Sequence, residues 1–145
     1  MTAQISLQSV VAGTLDETAH FSSEQKAQRV SYIMQTPHMR QLFEAFFNTT
    51  FPYEQRTVGT NNDAAQSLAM QSFPFEKITI PSLIVHGTLD GDVPFADGVY
   101  AASHIPGAQH YWMVNEDHLG FWLSPDAAQT QQVVTTFFQQ HASQK

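Results

Sequence analysis

The chain has 145 residues, of which 42% are hydrophobic and only 13% charged, and its formal net charge is −7. This composition indicates one globular domain with a sizeable core and excludes a disordered chain. The acidic balance, without a cluster of Lys and Arg, argues against nucleic acid or an anionic membrane as a partner. Because there is no cysteine, a disulfide framework, a thiolate nucleophile and a cysteine-based zinc site are excluded.

The N-terminal sequence predicts a cytoplasmic protein by default. Residues 1–13 lack the basic region of a signal peptide. No apolar run approaches the length of about 20 residues that crosses a bilayer. We therefore expect no membrane as a partner.

The first half of the chain has mostly helical periodicity. The exception is segment 8–12, where two valines predict a short strand. Ser22 and Gln25 have the spacing of a capping box and begin one helix. Thr36-Pro37 begins a second, and a third is expected at about 63–71. The apolar residues of the second helix follow the spacing of one buried face: Met39, Leu42, Phe43, Phe46 and Phe47.

After Lys77 the pattern changes to strands alternating with helices. Residues 82–86 form a short apolar run typical of a buried strand in a parallel sheet, and 109–114 form a second strand. Helices are predicted at 95–104 and after Ser124-Pro125. Two strands alternating with two helices predict a parallel βαβα unit. The change divides the chain into a helical, cap-like segment at 1–77 and a core at 78–145.

Asp90 and His118 each follow a predicted strand by four residues. In open parallel sheets, functional groups collect at the carboxyl ends of the strands. A carboxylate at Asp90 can hold one histidine tautomer, and His118 can then take a proton from a nucleophile or a water. Either residue alone is also explained by ordinary loop chemistry, since Asp90 and Asp92 flank a glycine. The matched placement favours a functional pair.

These residues resemble the late part of the alpha/beta-hydrolase family. There an apolar strand leads into Gly-x-x-Asp-x-x-Val-Pro, here Gly87 to Pro94, and a later strand leads to a His, here His118-Leu-Gly. The resemblance implies that Asp90 is the acid and His118 the base of a catalytic triad. Asp92 fits less well, because Val93-Pro94 sets the register on Asp90. The resemblance is tight from 78 to 138 and loose over the helical cap at 21–75. It implies hydrolysis of an ester or similar acyl bond in a small apolar substrate.

The family's nucleophile motif, Gly-x-Ser-x-Gly, does not occur anywhere in the 145 residues of the sequence. The glycines four apart, Gly87 and Gly91, have Leu89 between them. The sequence therefore predicts an α/β fold that is the C-terminal half of a hydrolase, inactive alone: a short parallel sheet with flanking helices and an N-terminal helical cap segment. Two alternative interpretations are a non-catalytic binding protein derived from that fold and a subunit that completes a site with another chain. A bare sheet edge predicts a homo-oligomer or a complementing N-terminal hydrolase half as partner.

Other chemistries have weaker signals. No phosphate loop or dinucleotide fingerprint occurs, so no cofactor is expected. Seven histidines suggest a metal, but no His-Glu-x-x-His occurs, and a site would need His86, Asp90, Asp92 and His118 to converge. No metal is therefore expected. The aromatic residues of the cap-like segment are assigned to a core rather than to an acyl pocket: Phe43, Phe46, Phe47, Phe51 and Tyr53.

Overall fold

The computed structural model describes residues 6–50, 53–70 and 72–142. Seven α-helices and two strands occur in these ranges, with two 3₁₀ turns at Tyr53–Gln55 and Phe75–Lys77. In chain order they are α1 (Leu7–Thr18), α2 (Ser23–Gln35), α3 (Pro37–Asn48), α4 (Thr57–Ala69), β1 (Leu83–Gly87), α5 (Phe95–His104), β2 (Gln109–Met113), α6 (Gly120–Leu123) and α7 (Ala127–His141).

Helix α1 occupies the position of the predicted strand, so the strand prediction at 8–12 is wrong. Val11 and Leu15 lie one helical turn apart and are both buried in the core. The helix begins after Ser6, whose Oγ accepts a hydrogen bond of 3.2 Å from the N–H of Ser9. The burial of one helical face outweighs the strand preference of the two valines.

Helices α2 and α3 begin where the sequence predicts. Ser22 and Gln25 form the reciprocal hydrogen bonds of a capping box, at 2.9 and 3.2 Å. Pro37 occupies the first turn of α3. Helix α4 begins at Thr57 rather than at Asp63, and none of its side chains is buried. The first turn of α4 therefore carries no apolar pattern that could have predicted it.

The main core lies between the first three helices and α6. Its buried residues are Val11, Leu15, Val30, Ile33, Phe43, Leu119 and Leu123. Of the aromatic residues expected in the core, Phe43 is buried and Phe47 packs against the core, whereas Phe46 is 43% exposed. Phe51 and the side chain of Tyr53 lie outside the described residues. The cap-like segment thus packs directly on the region after β2.

Strands β1 and β2 form a two-stranded parallel sheet, as the βαβ pattern predicts. Leu83 lies opposite Gln109 and Gly87 opposite Met113, with α5 as the crossover. Ser82 and Thr88 hydrogen-bond towards β2. Because the backbone N–H and C=O groups of successive residues point to alternate edges of a strand, those of Leu83 and Val85 point to the edge of β1 that faces away from β2. No strand of the described ranges lies beside that edge.

Two further elements follow β2. Helix α6 is a single turn that was not expected from the sequence, and α7 begins shortly after Ser124-Pro125 as expected. No helix of the described residues has the length and apolarity needed to cross a membrane.

Candidate active site

The last residue of α1 and the segment that follows it hold together the loops after β1 and β2. The Thr18 carbonyl accepts hydrogen bonds from the N–H of Gly91 at 3.0 Å and from the N–H of His118 at 3.2 Å. The N–H of His20 donates to the Leu89 carbonyl at 2.8 Å. The two loops that carry Asp90 and His118 are therefore fixed against one another by the backbone of a third segment.

Asp90 and His118 meet at the carboxyl end of the sheet. His118 Nδ1 lies 2.9 Å from Asp90 Oδ2, which is a hydrogen bond. Because an ionised carboxylate only accepts hydrogen bonds, this contact places a proton on Nδ1. Nε2 of the neutral ring is then free to accept a proton. The His118 side chain is 37% exposed, whereas Asp90 is 5% exposed.

The Asp90 carboxylate is held by its own loop as well as by the histidine. Its Oδ1 accepts hydrogen bonds from the N–H groups of Asp92 at 2.9 Å and Val93 at 2.8 Å. Burial raises the pKa of Asp90, but the hydrogen bonds from Val93, His118 and Asp92 outweigh it and bring the pKa below its usual value. Asp90 is therefore an ionised, oriented acceptor at neutral pH.

Two further polar residues flank this pair. His86 Nε2 lies 3.1 Å from the Val93 carbonyl and 3.3 Å from Asp90 Oδ2, so the tautomer with the proton on Nε2 satisfies both acceptors. Asp92, which is 61% exposed, has its Oδ2 3.5 Å from His118 Nε2. The residues that the sequence suggested for a metal do converge. Within the described ranges, however, no group of three or more such side chains is arranged to hold a metal ion.

A cleft of about 470 Å³ opens beside the pair. It is bounded by both members of the pair and by a largely apolar wall: Val85, His86, Gly87, Val93, Met113, Phe121 and Trp122. Trp122 also borders a smaller apolar cleft of about 230 Å³ between α3 and α6. A larger cleft of about 590 Å³ lies between α1 and α2, and the residues that line it include no pair of a carboxylate and a histidine.

A buried ion cluster, which no sequence motif indicated, precedes His118 in the chain. Arg29, on α2, is 7% exposed; its Nη2 lies 2.5 Å from Glu116 Oε2 and its Nη1 3.4 Å from Asp117 Oδ1. Burial raises the pKa of Glu116 and of Asp117, although the charge of Arg29 acts to lower both. Arg29 precedes Glu116 by 87 positions and Asp117 by 88 in the sequence, so no local pattern could have predicted that they pair.

An ionised carboxylate that fixes a histidine at the ends of adjacent parallel strands can support the base of a nucleophile–base–acid triad. Among solved structures, the chain is similar to an alpha/beta hydrolase fold protein from Nakamurella multipartita, with a TM-score of 0.77 and 30% sequence identity. The match covers 90% of this chain and 45% of that protein.

The chain therefore has a partial alpha/beta-hydrolase fold, which confirms the resemblance drawn from its sequence. It spans less than half the length of the similar protein. No protein-family model and no curated protein matches the sequence.

Proposed function

We propose that this chain supplies the acid–base half of an alpha/beta-hydrolase that cleaves an ester or related acyl bond in a small apolar substrate. The observation that carries the proposal is the 2.9 Å contact between His118 Nδ1 and Asp90 Oδ2, which leaves Nε2 beside an apolar cleft. In this role His118 takes the proton of the nucleophile. Asp90 holds the reactive tautomer and stabilises the imidazolium that forms.

The nucleophile comes from residues outside this sequence. No Gly-x-Ser-x-Gly occurs among the 145 residues. The unpaired edge of β1 borders the cleft through Val85 and offers backbone groups to one more strand. A parallel strand added there ends on the same side of the sheet as Asp90 and His118. This arrangement supports a partner that carries the missing half.

The walls of the cleft support an apolar acyl group as the bound part of the substrate. Met113, Phe121 and Trp122 supply carbon surface, and the two histidines that line the cleft both contact the carboxylate of Asp90. The reaction type itself rests on the resemblance to the hydrolase fold, which hosts many chemistries.

The test is a chimera that joins this chain to the nucleophile half of an active alpha/beta-hydrolase esterase, assayed with p-nitrophenyl butyrate. We expect turnover in the chimera, a loss of about 10⁴-fold in kcat on Asp90→Asn, and a loss at least as large on His118→Ala. Asp92→Asn is the matched control, because it makes the same chemical change two residues away, and it should keep kcat within a few-fold. The chain alone should show no turnover beyond that of free imidazole.

A second candidate is a binding protein derived from the hydrolase fold. The position of Asp92 favours it, because the carboxylate lies 3.5 Å from the nitrogen that a nucleophile would need. A folded chimera without activity would decide for this candidate. An active chimera with an equal loss on Asp92→Asn would instead assign part of the acid's role to Asp92.

A further inference from the structure

Two consecutive carboxylates precede His118, and both turn into the protein. Asp117 is fully buried and the Glu116 side chain is 12% exposed. Arg29 reaches both from α2, so one guanidinium spans the two residues next to the candidate base.

This cluster is a poor source of stability. Asp117 Oδ2 is buried and has no hydrogen-bond partner. Burial raises the pKa of both carboxyl groups in spite of the nearby guanidinium. Buried ion pairs are often replaced by apolar side chains of similar volume without loss of stability, because desolvation offsets the attraction. A role in placing the loop accounts for the cluster better than a role in stability.

The backbone on the other side of the loop is equally constrained. The Glu116 carbonyl accepts a hydrogen bond of 2.9 Å from Leu89, which precedes Asp90. Gly87 lies so close to the Glu116 and Asp117 carbonyls that a Cβ there would stand 2.4 and 2.6 Å from them. Arg29 holds the side chains of Glu116 and Asp117, and Gly87 and Leu89 contact their backbone, so the two residues before His118 are fixed on both sides.

We infer that Arg29 is a positioning residue, which holds His118 in hydrogen-bond contact with Asp90 through the carboxylates of Glu116 and Asp117. The inference rests on the proposed function, since it assigns Arg29 to the service of that base. Helix α2 begins three residues after His20, which bonds the Asp90 loop. The same stretch of chain therefore ties the Asp90 loop with its backbone and the His118 loop with Arg29.

The test measures the His118–Asp90 hydrogen bond directly in the whole chain by NMR. The readout is the solvent exchange rate and chemical shift of the His118 Nδ1 proton, assigned by its loss in His118→Gln. We expect exchange to accelerate on the order of tenfold or more in Arg29→Met and in the double variant Arg29→Gln/Asp117→Asn, which leaves the net charge of the chain unchanged. Arg29→Lys keeps the charge but not the two-armed geometry and should be intermediate.

Lys26→Met is the matched control. Lys26 lies one turn before Arg29 on α2 and pairs with Asp16 at 2.5 Å, but both side chains are solvent-exposed to a substantial degree, at 28% and 63%. The variant therefore removes a cation from the same helix without touching the His118 loop. We expect its His118 proton to behave as in the unmodified chain.

Folding is checked by the amide spectrum and by cooperative urea unfolding. A folded variant without the Arg29 charge whose His118 proton keeps its original shift and exchange rate would overturn the inference. So would a failure of every Arg29 variant to fold, because the cluster would then be a stability element. An inactive chimera with an intact His118–Asp90 bond counts against the proposed function, not against this role of Arg29.

Discussion

Gly87→Ala is the sharpest single test of how β1 holds the His118 loop. A Cβ at this position would lie 2.4 Å from the Glu116 carbonyl oxygen and 2.6 Å from that of Asp117, whereas ordinary contacts begin near 3.4 Å. The loop would have to retreat by about 1 Å, the difference between 3.4 and 2.4 Å, and backbone atoms cannot rotate out of the way. Overpacking of this kind costs about 1–3 kcal/mol. Loss of the hydrogen bond from Leu89 to Glu116 adds about 1 kcal/mol.

We therefore expect Gly87→Ala to lower the free energy of unfolding by about 2–4 kcal/mol in urea denaturation followed by circular dichroism. Gly13→Ala is the control. Gly13 lies on an exposed face of α1 with nothing within 4 Å of an added Cβ, so the same change should stabilise by about 0.5–1 kcal/mol. The control gains from helix propensity because its added Cβ contacts nothing, so a loss on the same chemical change at Gly87 would be due to packing. A Gly87→Ala variant within about 0.5 kcal/mol of the unmodified chain would refute the reasoning.

Three further predictions concern pH, local order and assembly. Burial raises the folded-state pKa of Asp117 above its unfolded value of 3.8, so the stability that its protonated form contributes is lost as pH rises through the folded pKa. The free energy of unfolding of Asp117→Asn, measured in urea relative to that of the unmodified chain, should therefore be higher at pH 7 than at pH 4. An equal difference between the two proteins at both pH values contradicts this. Helix α4 has no buried side chain, with Leu68 89% exposed, so its amides should exchange rapidly while those of α2 are protected; equal protection contradicts this. The open edge of β1 predicts self-association in sedimentation equilibrium at micromolar concentration, and a monodisperse monomer contradicts this.

The features that could be predicted from the sequence are those with local signals. The capping box of Ser22 and Gln25 and the proline at the start of α3 depend on neighbours within one turn. The placement of Asp90 and His118 follows from two strand ends and the geometry of a parallel sheet. In each case the residues that carry the sequence signal are the same residues that form the predicted contact.

The features that could not be predicted depend on burial or on distant contacts. A five-residue window around Val11 cannot separate a strand from a helix, and the helical period emerges only when Leu15 is included. Helix α4 has no buried face, so no apolar period marks where it begins. The pairing of Arg29 with Asp117 joins positions 88 residues apart and exists only once α2 packs against the His118 loop.

The contrast between Asp90 and Asp92 shows why the site needs one carboxylate and tolerates the other. The backbone N–H groups of Asp92 and Val93 close on Oδ1 of Asp90, so the turn can orient only the residue that begins it. Asp92 is 61% exposed, and its contact with His118 Nε2 at 3.5 Å is longer than a good hydrogen bond. In the neutral ring Nε2 carries no proton, so it forms no hydrogen bond with this carboxylate, and a hydroxyl arriving at hydrogen-bond distance from Nε2 can displace it at small cost. The Asp92 oxygen therefore marks the side of the ring that a nucleophile would approach, while Asp90 fixes the opposite side.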